Sequence, residues 1–202
     1  MKFDFVAVLA YEHLDNGMFL TSFARSLAKK KKRGIILHGD SEYTERIIQT
    51  GVMRQEATIR AIKDLNHRLV ALLADEGVPA IALNGYQKSL VKTDNNDDDI
   101  LIDAKQLFSF PGETMILLSN LAENTANKKT VPVPLNRLAQ SFHKETGSPV
   151  ILFSIKEDSG FINHDFPKVI TPLQEPDFSA VHVPEIFRYH NKEITLTSPS
   201  FF

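Results

Sequence analysis

Arg33-Gly-Ile-Ile-Leu-His-Gly-Asp-Ser-Glu-Tyr43 reads as a strand running directly into a turn and a helix. The β-prone aliphatics Ile35–Leu37 end in His38-Gly39, and Asp40 or Ser41 is placed to cap a helix beginning near Glu42. A junction of this kind aims backbone N–H groups and the positive end of a helix dipole at one spot, where α/β proteins commonly hold anions. On the local pattern alone the same residues also make an ordinary strand–turn–helix corner, so the flanking sequence has to decide.

On the N-terminal side, Phe3–Ala10 is apolar and β-prone and is expected to be a buried first strand. Its apolar run stops at Glu12-His13, too short to span a membrane and unlike a signal peptide. Asn16-Gly17 marks a turn, and Phe19–Lys32 follows as a helix with Leu20, Phe23, Ala24 and Leu27 inward. The basic run Lys29–Arg33 is expected to be its solvated end, the alternative being a phosphate-binding patch. Gly34 suits the position after the helix.

On the C-terminal side, Glu42–Thr50 reads as a short helix ending at Gly51. Arg54–Glu76 carries the strongest helical periodicity, with Ile62, Leu65, Leu69, Leu72 and Leu73 on one face and Gly77 and Pro79 as the stop. Ala80–Leu83 is a short strand leading into Asn84-Gly85. This β-α-β-α-α-β order predicts a three-layer α/β/α sandwich with a mainly parallel central sheet.

The Asp-rich run Asp94–Asp99 fails as a calcium loop, because Asp99 falls where glycine is needed and Lys105 where the bidentate glutamate belongs. A solvated loop or hairpin tip is expected there. Met115–Leu118 is the next strand, and Pro134–Thr146 the next helix, with Leu135, Leu138, Ala139 and Phe142 inward and Gly147 at its end. Pro149–Ile155 is an apolar strand; beyond Asn163, Pro167, Pro172, Pro176 and Pro184 cut the chain into short pieces such as Val169-Ile170 and Glu193–Thr197. For Ser198–Phe202 a packed tail and a disordered one are both open. Without an internal repeat or linker, residues 1–202 are expected to form a single domain.

Composition excludes several classes of function. At 43% hydrophobic and 24% charged residues the chain is that of an ordinary globular protein. A net charge of −2 gives no reason to expect nucleic acid or a membrane surface as partner. The absence of cysteine rules out disulfides, thiolate catalysis and cysteine-based zinc sites, and fits a cytoplasmic protein. The seven histidines contain no His-x-x-x-His or His-Glu-x-x-His pattern, so no metal site is expected; the alternative is a chelating pair across strands, for instance His13 with His38 at neighbouring strand ends. The histidines otherwise read as surface or capping residues, His38 bonding its adjacent loop. Gly39-Asp40-Ser41 is not a nucleophile elbow.

Four stretches together resemble the amino acid kinase family, which includes acetylglutamate kinase, UMP kinase and isopentenyl phosphate kinase. Arg33–Tyr43 is similar to the family's strand ending in a His-Gly-Gly-Gly turn, and Leu69–Leu83 to its central helix and following strand. Ile116–Asn120 with Pro134–Ala139 resembles its substrate-side strand and nucleotide-side helix; Pro149–Ile162 resembles its strand and Thr-Asp-Val-x-Gly-Val turn. The resemblance implies a substrate-side lobe over about 1–125 and a nucleotide-side lobe over about 126–202. It implies a small-metabolite cleft lined by Tyr11, His38, Gly39, Asp40, Ser41, Arg54, Asn84 and Asn120, Arg54 being the candidate anion ligand. It also implies Asn136, Lys156 and Gly160 on the nucleotide side, and a homodimer through the helix Arg54–Glu76. ATP and magnesium would be required only if the chain were an active kinase.

The departures from the family pattern fall on its chemistry. The family's Lys-x-Gly-Gly turn after the first strand is replaced by Val8-Leu-Ala-Tyr-Glu-His13, with no lysine between Lys2 and Lys29 and no glycine before Gly17. Asp40 stands where the second turn has glycine, and Glu42 follows, so carboxylates crowd a site meant for an anion. Asn136 falls where an aspartate orients the lysines, and the late Gly-Met-x-x-Lys segment of the ATP site has no counterpart before Phe202, so the nucleotide side is expected to be reduced. Phosphoryl transfer rests on positioning and charge stabilisation, and losing one preorganised donor costs about 10²–10³ in rate. The expectation is therefore a degenerate kinase-like protein without normal kinase activity that keeps a small-molecule cleft. Two alternatives stand beside it: an active ATP-dependent phosphotransferase in which Lys156 or Lys168 replaces the missing lysines, and a structural or partner-binding protein with no ligand.

Overall fold

Phe5–Leu9 (β1) and Gly34–His38 (β2) are buried at every position, as strands must be when both faces of their sheet are covered. They lie side by side and parallel, Phe5 opposite Gly34 and Leu9 opposite His38. That register explains the glycine: a Cβ on Gly34 would sit 2.1 Å from Cε2 of Phe5. The computed structural model describes residues 3–30, 32–94, 99–156, 167–170, 181–188 and 192–202.

Around this pair the chain builds a seven-stranded sheet of order β10-β11-β9-β1-β2-β6-β3. The added strands are Ala80–Asn84 (β3), Met115–Ser119 (β6), Val150–Phe153 (β9), Lys168–Ile170 (β10) and Ile194–Thr197 (β11). All neighbours run parallel except β10, antiparallel to β11 at one edge. Alternate side chains divide between two cores. Phe5, Ala7, Leu9, Ile36 and Leu117 pack under helices α2 (Gly17–Lys30) and α4 (Arg54–Asp75) through Phe23, Leu27, Leu65 and Leu69. Val6, Val8, Ile35, Leu37 and Leu118 face helix α6 (Leu135–Thr146) through Leu138 and Phe142. The three-layer α/β/α arrangement with a mainly parallel sheet is thus present. No helix among the described residues is long and apolar enough to cross a membrane.

A second sheet of four short strands, β5-β4-β7-β8, was not legible in the sequence. Its members are Val91–Thr93 (β4), Ile100–Ile102 (β5), Leu121–Asn124 (β7) and Thr130–Pro132 (β8), with helix α5 (Ala104–Phe108) following β5. Asn120 alone separates β6 from β7, and its N–H bonds the His38 carbonyl at 2.9 Å as the chain leaves one sheet for the other. The Asp-rich run lies between β4 and β5, which pair antiparallel; residues 95–98 are outside the described residues.

Other expectations need correction. Val8–His13 is not a simple turn, since Tyr11–Leu14 (α1) forms one helical turn. Arg33 is not part of a solvated helix end. It is buried, its Nη2 donating to the carbonyls of Leu107 and Phe110 at 3.0 Å each, with the guanidinium 4.6 Å over the Phe3 ring. Carbonyls at the end of a short helix need donors, and this cation supplies them. Ser198–Phe202 is packed: Phe202 meets Phe5 and Phe153 edge-on at 5.1 and 5.2 Å and stacks on Phe23 at 5.7 Å. Pro134 caps α6 from outside, and Gly147 ends it in the left-handed region at φ 66°.

Candidate functional site

Because the strands are parallel, their carboxyl ends share one edge. Leu9 lies opposite His38, His38 opposite Ser119, and Ser119 opposite Asn84. The chain moves from β1 to β2 on one side and returns later as β9 on the other, so the loops after β1 and β9 diverge. Open α/β sheets bind ligands at such a switch point.

Here His13 fills that point. Its side chain is only 3% exposed. Nδ1 accepts the Ala10 N–H at 3.1 Å and Nε2 donates to the Ser154 carbonyl at 3.3 Å, tying the exit of β1 to the exit of β9. The ring stacks on Phe19 at 4.3 Å and meets Phe153 edge-on at 6.2 Å. These contacts fix a neutral ring with its proton on Nε2. Burial opposes the charged form and lowers the pKa from 6.5 to about 4, against a smaller opposite pull from the Ser154 carbonyl. His182 flanks Ser154 from the other side, its Nδ1 2.7 Å from Oγ. That hydroxyl also accepts the Lys156 N–H at 3.2 Å. Reading these two histidines as surface or capping residues missed their burial, which is set by partners 141 and 28 residues away.

His38 is completely buried and belongs to a different network. Its Nε2 donates to Asn66 Oδ1 at 3.0 Å, and Asn66 Nδ2 donates in turn to the Leu83 carbonyl at 3.0 Å. Asn84 Oδ1 receives the Ser119 hydroxyl at 3.0 Å and lies 3.3 Å from Asn66 Nδ2. Burial lowers the His38 pKa, while the bonds to Asn66 and Gly39 oppose that shift. His13 and His38 therefore turn to opposite sets of partners and form no chelating pair. Among the described residues no group of three or more His, Cys, Asp or Glu side chains is arranged for a metal.

The turn after β2 shows what became of the expected anion cradle. Helix α3 (Tyr43–Ile48) has six residues and begins one residue later than expected. Asp40 accepts the Ser41 N–H at 2.8 Å and the Thr44 hydroxyl. Asp15 accepts the Glu42 N–H at 2.8 Å, and buried Ser41 Oγ accepts the Tyr43 N–H at 3.2 Å. The N–H groups of Ser41, Glu42 and Tyr43 thus bond side-chain oxygens of the chain itself. Gly39 packs closely, a Cβ there meeting Asn120 Nδ2 and Leu135 Cδ1 at 3.2 Å. Asn120 Nδ2 donates to the Val133 carbonyl at 2.7 Å.

At the rim, Tyr11 is 44% exposed. Its phenol pKa is raised first by burial and then by the charges of Glu42, Asp40, Asp15 and Glu45. Arg54 is exposed and forms a fork with Glu45, at 2.7 and 3.3 Å. Of the residues expected to face a nucleotide, Asn136 donates to the Ile186 carbonyl at 2.7 Å and accepts the Arg137 N–H at 2.9 Å. Lys156 follows β9, Lys168 opens β10, and Gly160 is outside the described residues.

Neither a family model nor a curated protein sequence matches the chain. Solved structures do share its fold. The protein smu.665 of Streptococcus mutans is similar with a TM-score of 0.68 and 15% identity, over 93% of this chain and 87% of that one. An isopentenyl phosphate kinase gives 0.59 and 15% over 86% and 78% of the two chains. N-acetylglutamate synthase from Neisseria gonorrhoeae gives 0.64 and 13%, over 97% of this chain and 54% of that protein. At such identities the likeness establishes architecture: the chain is built on the fold of the amino acid kinases.

Proposed function

We propose that this chain is an amino acid kinase-like protein that transfers no phosphoryl group and holds a small metabolite at the rim of its strand ends. The observation that carries the reading is the His13 imidazole bridging Ala10 and Ser154 at the switch point. A transferring phosphoryl group needs fixed cations and free N–H donors around it. At this edge it would instead meet a neutral ring, and N–H groups already bonded to Asp40 and Asp15. His38 and Asn84 are bonded within their own network, so the proposed ligand contacts are Tyr11, Asp40, Ser41 and Arg54, with Gly39 and Asn120 behind them.

Thermal melting with and without Mg-ATP tests this. A nucleotide at a hundred times its Kd stabilises by about 2.7 kcal/mol, or roughly 5–10 °C for a chain of this size. No shift is expected with Mg-ATP or Mg-ADP. A shift of that order, followed by turnover on a panel of carboxylate and phosphate metabolites that is lost in Lys156→Ala or Lys168→Ala, would establish the active phosphotransferase instead.

We also propose a homodimer formed through α4. Supporting this, α4 packs on β3, the end strand of the large sheet, and every residue of β3 is partly exposed. An uncovered end strand is a liability that proteins usually cover. Sedimentation at tens of micromolar should give a dimer; a monomer there would remove the proposal.

A further inference from the structure

The small sheet carries a feature that the kinase-like edge does not use. Between β4, β5 and α5 lies an open hollow of about 470 Å³, lined by Lys88, Ser89, Lys92, Asp103, Lys105, Gln106 and, on α6, Glu145. Its size is that of a small-molecule site. Lys88, Lys92 and Lys105 converge on it, and none of them forms an ion pair among the described residues. Two carboxylates share the lining with the three lysines, Asp103, which accepts from Gln106 at 2.9 Å, and Glu145, while Glu123 nearby bonds Lys128 and the Ser89 hydroxyl, each at 3.0 Å, and feels the charge of Lys92.

The backbone at this place is independently unusual. Lys88 and Ser89 are consecutive left-handed residues, at φ 52° and 54°, a conformation unfavourable for residues with a Cβ. Gln106 Nε2 holds the pair by donating to the Lys88 carbonyl at 3.2 Å. Strain of this kind persists where the surroundings enforce it, and it concentrates at ligand clamps.

We infer that this hollow is a binding site for a small polyanion, a phosphorylated or polycarboxylate metabolite, clamped by Lys88, Lys92 and Lys105. Three flexible ammonium groups suit a compact ligand with at least two negative charges. The site stands apart from the His13 edge, and its occupancy does not depend on whether phosphoryl transfer occurs there.

Pyrophosphate and citrate, titrated separately into the 15N-labelled full chain, test the inference and distinguish phosphate from carboxylate preference. Saturable shifts are expected at the amides of Lys88, Ser89, Leu90, Lys105 and Gln106 with at least one of them, weakening as salt rises. The triple variant Lys88→Ala, Lys92→Ala, Lys105→Ala should lower the affinity at least about tenfold, while Lys29→Ala with Lys192→Ala leaves it unchanged. Lys88→Gly, which relaxes the backbone and removes the charge, should raise the melting temperature while weakening binding. Non-saturable shifts spread over many lysines, an equal loss in the off-site pair, or a Lys88→Gly protein that binds as tightly as the parent would each overturn the assignment.

Discussion

Replacing Phe153 by alanine is expected to remove about 3–5 kcal/mol of stability, the usual cost of truncating a buried phenylalanine. Against a total of about 5–15 kcal/mol for a typical domain, that is a large share. Phe153 ends β9 with no exposed surface and is the hub of an aromatic cluster. It meets Phe19, Phe23 and Phe202 edge-on at 5.4, 5.2 and 5.2 Å, and the His13 ring at 6.2 Å. Its partners come from α2, the C-terminal tail and the switch point, so the surrounding structure cannot collapse into the space without moving several elements. Urea unfolding should show a lower midpoint with an unchanged m-value. Phe201→Ala, whose ring is 43% exposed, should change stability by less than about 0.5 kcal/mol. Equal losses in the two variants would mean that the cluster does not organise this core.

The aromatic cluster also shows where the sequence was readable. β1, β2, α4, α6 and β9 announce themselves through local patterns: unbroken apolar runs for strands covered on both faces, and three- and four-residue spacing in the helices. From their order the parallel sheet follows, with the strand carboxyl ends along one edge. The second sheet was hidden because its strands have three or four residues, and because Asn120 alone divides β6 from β7. Arg33 looked like a helix-end cation because its neighbours are lysines; its burial comes from Phe3 and from the Leu107 and Phe110 carbonyls, which no local rule brings together. At the site, the missing Lys-x-Gly-Gly turn and the intrusive Asp40 were legible residue by residue. What replaced the cradle was not. That Asp15 would cap the Glu42 N–H, or that His13 would reach Ser154, depends on partners 27 and 141 residues apart.

Acidification should destabilise the protein well before its carboxylates are fully protonated, and His13 should account for much of the loss. In the unfolded chain its imidazole takes a proton near 6.5, whereas in the folded chain it resists until about 4. Between these values the unfolded state binds more protons, so stability falls as pH falls through the window and levels off above it. A difference of this size corresponds to about 3 kcal/mol. Burial lowers the His38 pKa as well, which adds in the same direction. Urea unfolding at several pH values between about 7.5 and 4.5 would record the slope. In His13→Gln the amide can still donate to Ser154 but does not titrate. That variant is expected to be weaker at neutral pH, having lost the Phe19 stacking, and to show a much flatter pH dependence. An unchanged slope would mean that His13 is not held neutral. The same desolvation bears on the proposed reading, in which an incoming phosphate would meet at the switch point a ring that is uncharged at pH 7.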